Sequence, residues 1–462
     1  MIEKQTDAGS RRVSRRFGKI RTALLIAGFA GCFYGVFPVP EKESPEAMPE
    51  KAFAPRAALT DSVTLQLPFA VDSLCRITDL SHSLDVFLEG LELLLSGRDT
   101  VIKIVHLGDS HVQAGFYSGQ VMHMLHDAFG NAGRGWISPL KLAKVNEPND
   151  YRITSPAVKE WIIGRCIQKE PGCPWGLGGI GIQPCSEVVD FSISMTPDNG
   201  AGYAFNELYL YRDETATPLF PRTEDTAWVE AVRGIEPRAP HVVVDTFRMA
   251  LAVDSLYLNS VVDRQDTAST AGNSAGGYYG FSLKNGRPGI LYHAIGQNGA
   301  MFVNYTNREY LHQLSLLEPS LLIITLGTNE AYSMKFRAPD FVAQMNSFIG
   351  LVREYMPSAA ILLTTPAESY RRTRNGYVRN ENISRAAKAI TEYAGANGIA
   401  CFDLYRATGG SNSCTEWKKA NLLGRDRIHY TKEGYYEQGK LLYRGLIRLK
   451  INQQNRVSGE SV

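Results

Sequence analysis

No Cys-x-x-Cys pair and no His-x-x-x-His pair occurs in the 462 residues, so the ligand spacings that hold zinc are missing and no metal is expected. An excess of charge of one sign is missing too. With 49 Lys and Arg against 47 Asp and Glu, the formal net charge is +2, which argues against a nucleic-acid partner or a general polyanion surface. A phosphate-cradling loop is also lacking. Gly176-Leu177-Gly178-Gly179-Ile180-Gly181 is rich in glycine, but Gln183-Pro184-Cys185 follows it and opens no helix, so it reads as a loop near a domain junction and no cofactor is expected. Nor does any stretch read as a wide lipid-binding lid.

One uncharged run follows directly on a basic flank. Arg11, Arg12, Arg15, Arg16, Lys19 and Arg21 precede an uncharged stretch from Thr22 to Val39, long enough at about 1.5 Å per residue to cross a thin bilayer. The basic flank predicts a cytoplasmic segment over 1–21 and a signal anchor over 22–39, with the remainder across the membrane. Residues 40–60, rich in proline and glutamate, read as a flexible tether. Phe29-Ala30-Gly31-Cys32 approximates a lipoprotein cleavage site, but the run continues beyond it, so an uncleaved anchor is preferred to a lipoprotein at Cys32. Six further cysteines suit an oxidising compartment, and pairing of Cys401 with Cys414 and one bridge among Cys166, Cys173 and Cys185 are expected, against the alternative of reduced buried thiols.

What the chain does have is a series of short apolar runs that end in polar residues. Thr100 to Leu107 reads as a buried strand, Gln113 to Phe129 carries helix-spaced apolar positions, and Gly108-Asp109-Ser110-His111 stands between them. Ser110 therefore lies at a strand-to-helix turn, at the carboxyl edge of a sheet where ligands bind, and is placed as a nucleophile. Leu321 to Leu326 is a second such run and leads into Gly327-Thr328-Asn329-Glu330, where the Asn329 carboxamide can donate to a developing oxyanion. Gly424-Arg425-Asp426-Arg427-Ile428-His429 precedes an amphipathic helix over Lys432 to Lys450. The three-residue spacing lets Asp426 hold Nδ1 of His429 and leaves Nε2 to take a proton from serine.

In this order the segments resemble the SGNH hydrolase superfamily, also called GDSL esterases. The resemblance implies Ser110 as nucleophile, Asp426 and His429 as its partners, and an oxyanion hole made by Ser110 N–H, the Asn329 amide and a glycine N–H. Leu291 to Ala300 matches the segment that supplies that glycine; Gly296 is assigned, and Gly299 competes with it. Ser110 and Gly296 are 186 residues apart, farther than in small members, so a domain has been inserted. Block three ends Gly-Thr-Asn-Glu rather than the commoner Gly-x-Asn-Asp, which keeps the amide.

The inserted stretch, 151–288, offers short runs at Glu187 to Met195, Ala204 to Tyr211, His241 to Ala252, Ser255 to Val262 and Gly277 to Leu283, separated by turn residues. This predicts a β-sandwich or jelly roll, in which Tyr203, Tyr209, Tyr211, Trp228, Tyr278 and Tyr279 serve either as sugar-stacking platforms or as core aromatics. Around it, Leu84 to Leu94, Asp340 to Tyr355 and Asn380 to Asn397 read as helices, and Ala359 to Thr365 and Ile399 to Leu404 as strands. The fold class expected is thus α/β, a doubly wound parallel sheet of flavodoxin-like SGNH type split into 61–150 and 289–450, with an inserted β-sandwich and a tail over 451–462. Such an insertion, together with Gly-Asp-Ser-His, is similar to the peptidoglycan O-acetylesterases. That resemblance implies an O-acylated glycan substrate, and the N-terminal signal anchor is expected to hold the chain on the periplasmic face of the inner membrane of a bacterial envelope. An O-acyltransferase working beside an integral-membrane acyl-donor protein, and a non-catalytic glycan-binding protein, are the alternatives.

Overall fold

Val101–Gly108 is apolar on both faces, as a central parallel strand must be: Ile102 and Ile104 enter one buried cluster while Val105 and Leu107 enter another on the opposite side. In the computed structural model of the chain this strand lies inside a six-stranded sheet. The structure describes residues 70–198, 202–222, 228–235, 239, 241–260 and 276–458, and also 59, 61, 63, 65 and 67. The expected segments at 1–21 and 22–39, and most of the tether, lie outside the described residues. No helix among the described residues is long and apolar enough to cross a membrane.

Across the sheet the order is Ile77–Thr78, Ala400–Phe402, Ala360–Thr364, Leu321–Thr325, Val101–Gly108 and Gly289–Gly296. All neighbours are parallel except the two-residue edge strand Ile77–Thr78. Taken in chain order, the parallel strands run 2-1-3-4-5 in space, the flavodoxin-like doubly wound arrangement. Its switch point falls between Val101–Gly108 and Leu321–Thr325, where the flanking connections leave in opposite directions and open a crevice. Asp85–Leu95, Phe116–Phe129 and Lys432–Ser458 share one core with the sheet through Leu88, Val121 and Leu446, and Ala338–Tyr355 and Glu381–Ala396 share the other through Met345 and Ile390. His106 bridges strands inside the sheet, its Nδ1 2.7 Å from Tyr292 Oη and its Nε2 2.8 Å from Thr325 Oγ1. Burial holds it neutral, with its pKa pushed down to about 3.

The insertion forms antiparallel layers. A seven-stranded sheet carries Phe205–Asp213, Val242–Val253 and Tyr278–Lys284 at its centre, and a four-stranded sheet pairs Asp190–Met195 with Tyr151–Thr154 and Ser255–Asn259. They meet through Phe191, whose ring lies 5.2 Å from that of Tyr278 and 5.5 Å from that of Phe281. Gly135–Ile137, which precedes the insertion, pairs with Tyr278–Lys284, and Gly135 at φ 71° comes so close to the Tyr292 carbonyl that a Cβ there would sit 2.3 Å from it. The two layers are thereby joined through backbone.

One open alternative is decided here and one expectation is corrected. Tyr203, Tyr211, Tyr278 and Tyr279 are buried, so they are core aromatics and not sugar platforms; Tyr209 is half-buried under the Lys284 ammonium, and the Trp228 side chain lies outside the described residues. The expected disulfides are absent as well, since Cys75, Cys166, Cys173, Cys185, Cys401 and Cys414 are all free thiols. Cys401 is on a sheet strand, where burial pushes its thiol up to about 12, while Cys414 lies in the helix Ser413–Lys419 and donates to the Glu368 carbonyl. Five of these thiols are buried in their own packing and Cys185 is exposed, and the size of the core makes covalent staples unnecessary.

Candidate active site

Register fixes the site. Gly108 is paired with Gly296 on one side and Thr325 on the other, so the loops carrying Ser110, Asn298–Gly299 and Asn329 leave the sheet next to one another. Strands spaced about 4.8 Å apart bring these loops within one side chain's reach. Asp109 caps the short helix Ser110–Gln113 by accepting from His111 N–H at 2.9 Å, and Ser110 becomes its first residue. Its own N–H therefore has no partner within that helix and is available at the dipole's positive end. Gly115, at φ 75°, ends this turn before Phe116–Phe129 begins, where the sequence had suggested one helix from Gln113.

His429 arrives from 319 residues away, with Nε2 2.8 Å from Ser110 Oγ. Its Nδ1 lies 2.6 Å from Asp426 Oδ2. Burial pushes the Asp426 carboxyl up, but hydrogen bonds from the His429 side chain and from the Ile428 and His429 N–H groups outweigh it and hold the carboxyl below its usual value. An ionised carboxylate only accepts, so Nδ1–H donates to Asp426, and Nε2 is left to accept from Ser110 Oγ–H. The loop that achieves this is tight: Gly424 N–H donates to the His429 carbonyl at 2.7 Å, and Arg427 takes a left-handed φ of 58°.

A cavity of about 640 Å³ opens on these groups and is lined by Ser110, Asn298, Gly299, Asn329, Tyr332 and His429 among others. A second cavity, of about 690 Å³, lies beside Glu381–Ala396 and holds none of the site residues. Of the two candidate glycines, Gly299 lines the site cavity and Gly296 does not. Gly296 is pressed beneath the serine helix, where a Cβ would sit 2.4 Å from Gln113 N and 2.6 Å from the Asp109 carbonyl oxygen; Gly299, at φ 83°, has nothing within 4 Å. Between the assigned glycine, Gly296, and its competitor, Gly299, the position on the cavity favours Gly299 as the N–H donor. Asn329 does line the cavity, and its Nδ2 donates to the Ala300 carbonyl at 2.9 Å and to Asp109 Oδ2 at 3.2 Å.

Several groups around the site carry no sequence signal beyond their place in or beside the motifs. Gln113 ties three segments together, accepting from Asn298 N–H at 2.7 Å and donating to the Asn146 carbonyl at 2.9 Å. The His111 ring lies 5.2 Å from the His429 ring, and its Nδ1 is 2.8 Å from Tyr435 Oη, on the first turn of Lys432–Ser458. Burial keeps His111 neutral, pushing its pKa down to about 3. Behind the serine, burial pushes both Asp109 and Glu330 up to about 7; Glu330 accepts from Phe302 N–H at 2.8 Å through one oxygen, while its other is buried with no partner. Among the described residues no cluster of His, Cys, Asp and Glu could hold a metal ion.

With this geometry the similarity to known proteins takes a definite form. Residues 259–436 match the GDSL-like Lipase/Acylhydrolase family, a stretch that holds the Gly296–Gly299, Asn329 and Asp426–His429 segments and begins after Ser110. A solved peptidoglycan O-acetylesterase is 18% identical, with a TM-score of 0.63 over 81% of this chain and 99% of that one. An acetyl xylan esterase (17% identical, TM-score 0.28, 34% of this chain and 80% of that one) and a carbohydrate esterase family 3 protein from Talaromyces cellulolyticus (16%, 0.28, 35% and 73%) overlap only part of the chain. No curated protein matches. Residues 259–436 thus carry a GDSL-like acylhydrolase domain, which supports ester-bond hydrolysis, and the fold of the chain, β layers included, resembles that of the solved peptidoglycan O-acetylesterase.

Proposed function

We propose that the protein is a serine esterase that removes short acyl groups, acetyl above all, from O-acylated cell-envelope glycan such as peptidoglycan or an acetylated polysaccharide. The observation that carries this reading is the unbroken contact from Ser110 Oγ through His429 to Asp426 at the mouth of a cavity. His429 Nε2 takes the serine proton as Oγ attacks the ester carbonyl, and Asp426 stabilises the imidazolium that forms. The oxyanion is received by Ser110 N–H, Gly299 N–H and the Asn329 amide. Asn329 donates by exchanging its longer bond, to Asp109, for the substrate oxygen; that exchange is eased because the buried Asp109 is protonated part of the time near neutral pH. The imidazolium then protonates the leaving sugar hydroxyl, and a water activated by the same histidine frees the acid. The basic N-terminal segment and the uncharged run after it support an envelope location facing the periplasm.

Ser110→Ala tests the reading. Hydrolysis of p-nitrophenyl acetate should fall by about 10³-fold or more while the melting temperature stays within a few degrees of the parent's. A variant with full activity overturns the proposal.

A further inference from the structure

Between the two catalytic segments stands a hairpin that the reaction does not use. Tyr370–Thr373 pairs with Gly376–Arg379, and its base is fixed on both sides. Tyr370 N–H donates to the Arg427 carbonyl at 2.8 Å, which attaches it to the Asp426–His429 loop; Asn380 Nδ2 donates to the Ala331 carbonyl at 3.1 Å, which attaches it to the helix carrying Asn329. The pairing puts Tyr370, Arg372, Tyr377 and Arg379 on one face. Arg427 covers that face, its guanidinium 4.4 Å from the Tyr377 ring centroid and 5.5 Å from that of Tyr370. Arg374 is exposed at the turn and Arg425 on the adjoining loop.

Such a concentration of arginine is unexpected in a chain whose net charge is only +2. Arg379 is occupied, 3.6 Å from Glu381 and bonded to Ser411. Among the described residues Arg372, Arg374, Arg425 and Arg427 form no ion pair with a carboxylate. Like charges that outnumber their counter-charges repel one another, and a fold keeps them at little cost only where water or an anion screens them. Guanidinium groups match carboxylates in a planar, two-bond geometry that an ammonium does not offer.

We infer that the arginine hairpin is a substrate subsite for a glycan whose sugars or substituents carry carboxylates, holding the polymer across the rim so that an acyl ester reaches Ser110. This inference rests on the esterase reading above and names the charge of its substrate. The hairpin adjoins the Asp426–His429 loop through Arg427 and lies outside the lining of the site cavity, so it acts on the polymer flanking the scissile ester.

The test uses the full chain, acetylated oligogalacturonate, and the same oligomer with its carboxylates converted to amides. Acetate release gives kcat/KM for each. The parent protein should favour the carboxylated oligomer about tenfold or more, the preference should shrink as salt rises from about 50 to about 500 mM, and R372Q/R374Q should bring the ratio near one through KM. Both residues are exposed, so a melting temperature matching the parent's confirms that the variant folds. A parent ratio of one, or a ratio the double variant leaves unchanged, overturns the subsite while acetate release from the amidated oligomer upholds the esterase. Failure on both oligomers and on p-nitrophenyl acetate removes the esterase reading, and this inference with it. Binding to phosphatidylglycerol vesicles that the double variant loses, with the ratio unmoved, assigns the arginines to a membrane surface instead and overturns the proposal.

Discussion

Glu330 illustrates how the residue after an oxyanion donor can set the pH response of a fold. Its carboxyl is buried, one oxygen has no partner, and its pKa is raised from 4.5 to about 7 chiefly by desolvation. The folded state thus binds a proton more tightly than the unfolded chain, so the stability it contributes is present below about pH 4.5 and is lost as pH rises to about 7. Glu330→Gln cannot ionise. The melting-temperature difference between variant and parent should therefore grow in the variant's favour between pH 5 and pH 7, with a limit of about 3 kcal/mol. A difference that stays flat across that range contradicts the burial argument. The nearby Asp109 charge adds to the upward shift of Glu330. At this scale the sequence was informative wherever chemistry follows from spacing, as with Asp426 and His429. It was silent on Glu330, Gln113 and Tyr435, whose roles come from which neighbours burial gives them.

Strand register decides which element ends can work together, and Gly296, at the end of Gly289–Gly296, and Gly299 after it test that point. Gly296 is in register with Gly108, where a side chain would collide with backbone, so Gly296→Ala should lose stability and activity together. Gly299→Ala meets open space and only the strain of φ 83°, of the order of 1 kcal/mol. It should fold nearly as well as the parent yet lose kcat on p-nitrophenyl acetate as its N–H shifts away from the oxyanion. A fully active Gly299→Ala places the donor elsewhere. The strands Val101–Gly108 and Leu321–Thr325 were legible because parallel strands buried on both faces read as unbroken apolar runs. Depth along a strand was not legible, since Gly296 and Gly299 both follow the same run and only pairing separates them. The break at Gly115 was missed for a similar reason: the apolar period continues through it, while close approach to Pro148 dictates the turn.

For the whole molecule, the doubly wound order and the sandwich were both readable from alternating patterns, but the seam between them was not. Gly135–Ile137 and Trp136 belong by sequence to the α/β part, yet pair with Tyr278–Lys284 in the other layer. Trp161–Arg165 and Ile180–Pro184 were overlooked because glycine and proline interrupt their alternation. The disulfide expectation failed because even cysteine counts and compartment say nothing about side-chain direction. With all six described cysteines free, added dithiothreitol should leave the melting temperature unchanged, whereas a drop of several degrees would reveal a bridge. The central claim is that distant segments meet so that one hydroxyl, Ser110, is activated by one imidazole, His429. Its most direct test is labelling of the intact protein with a fluorophosphonate, followed by mass mapping of the modified peptide. The account predicts a single adduct on Ser110, formed far more slowly in His429→Ala; an adduct on another residue, or equal labelling of the two proteins, contradicts it.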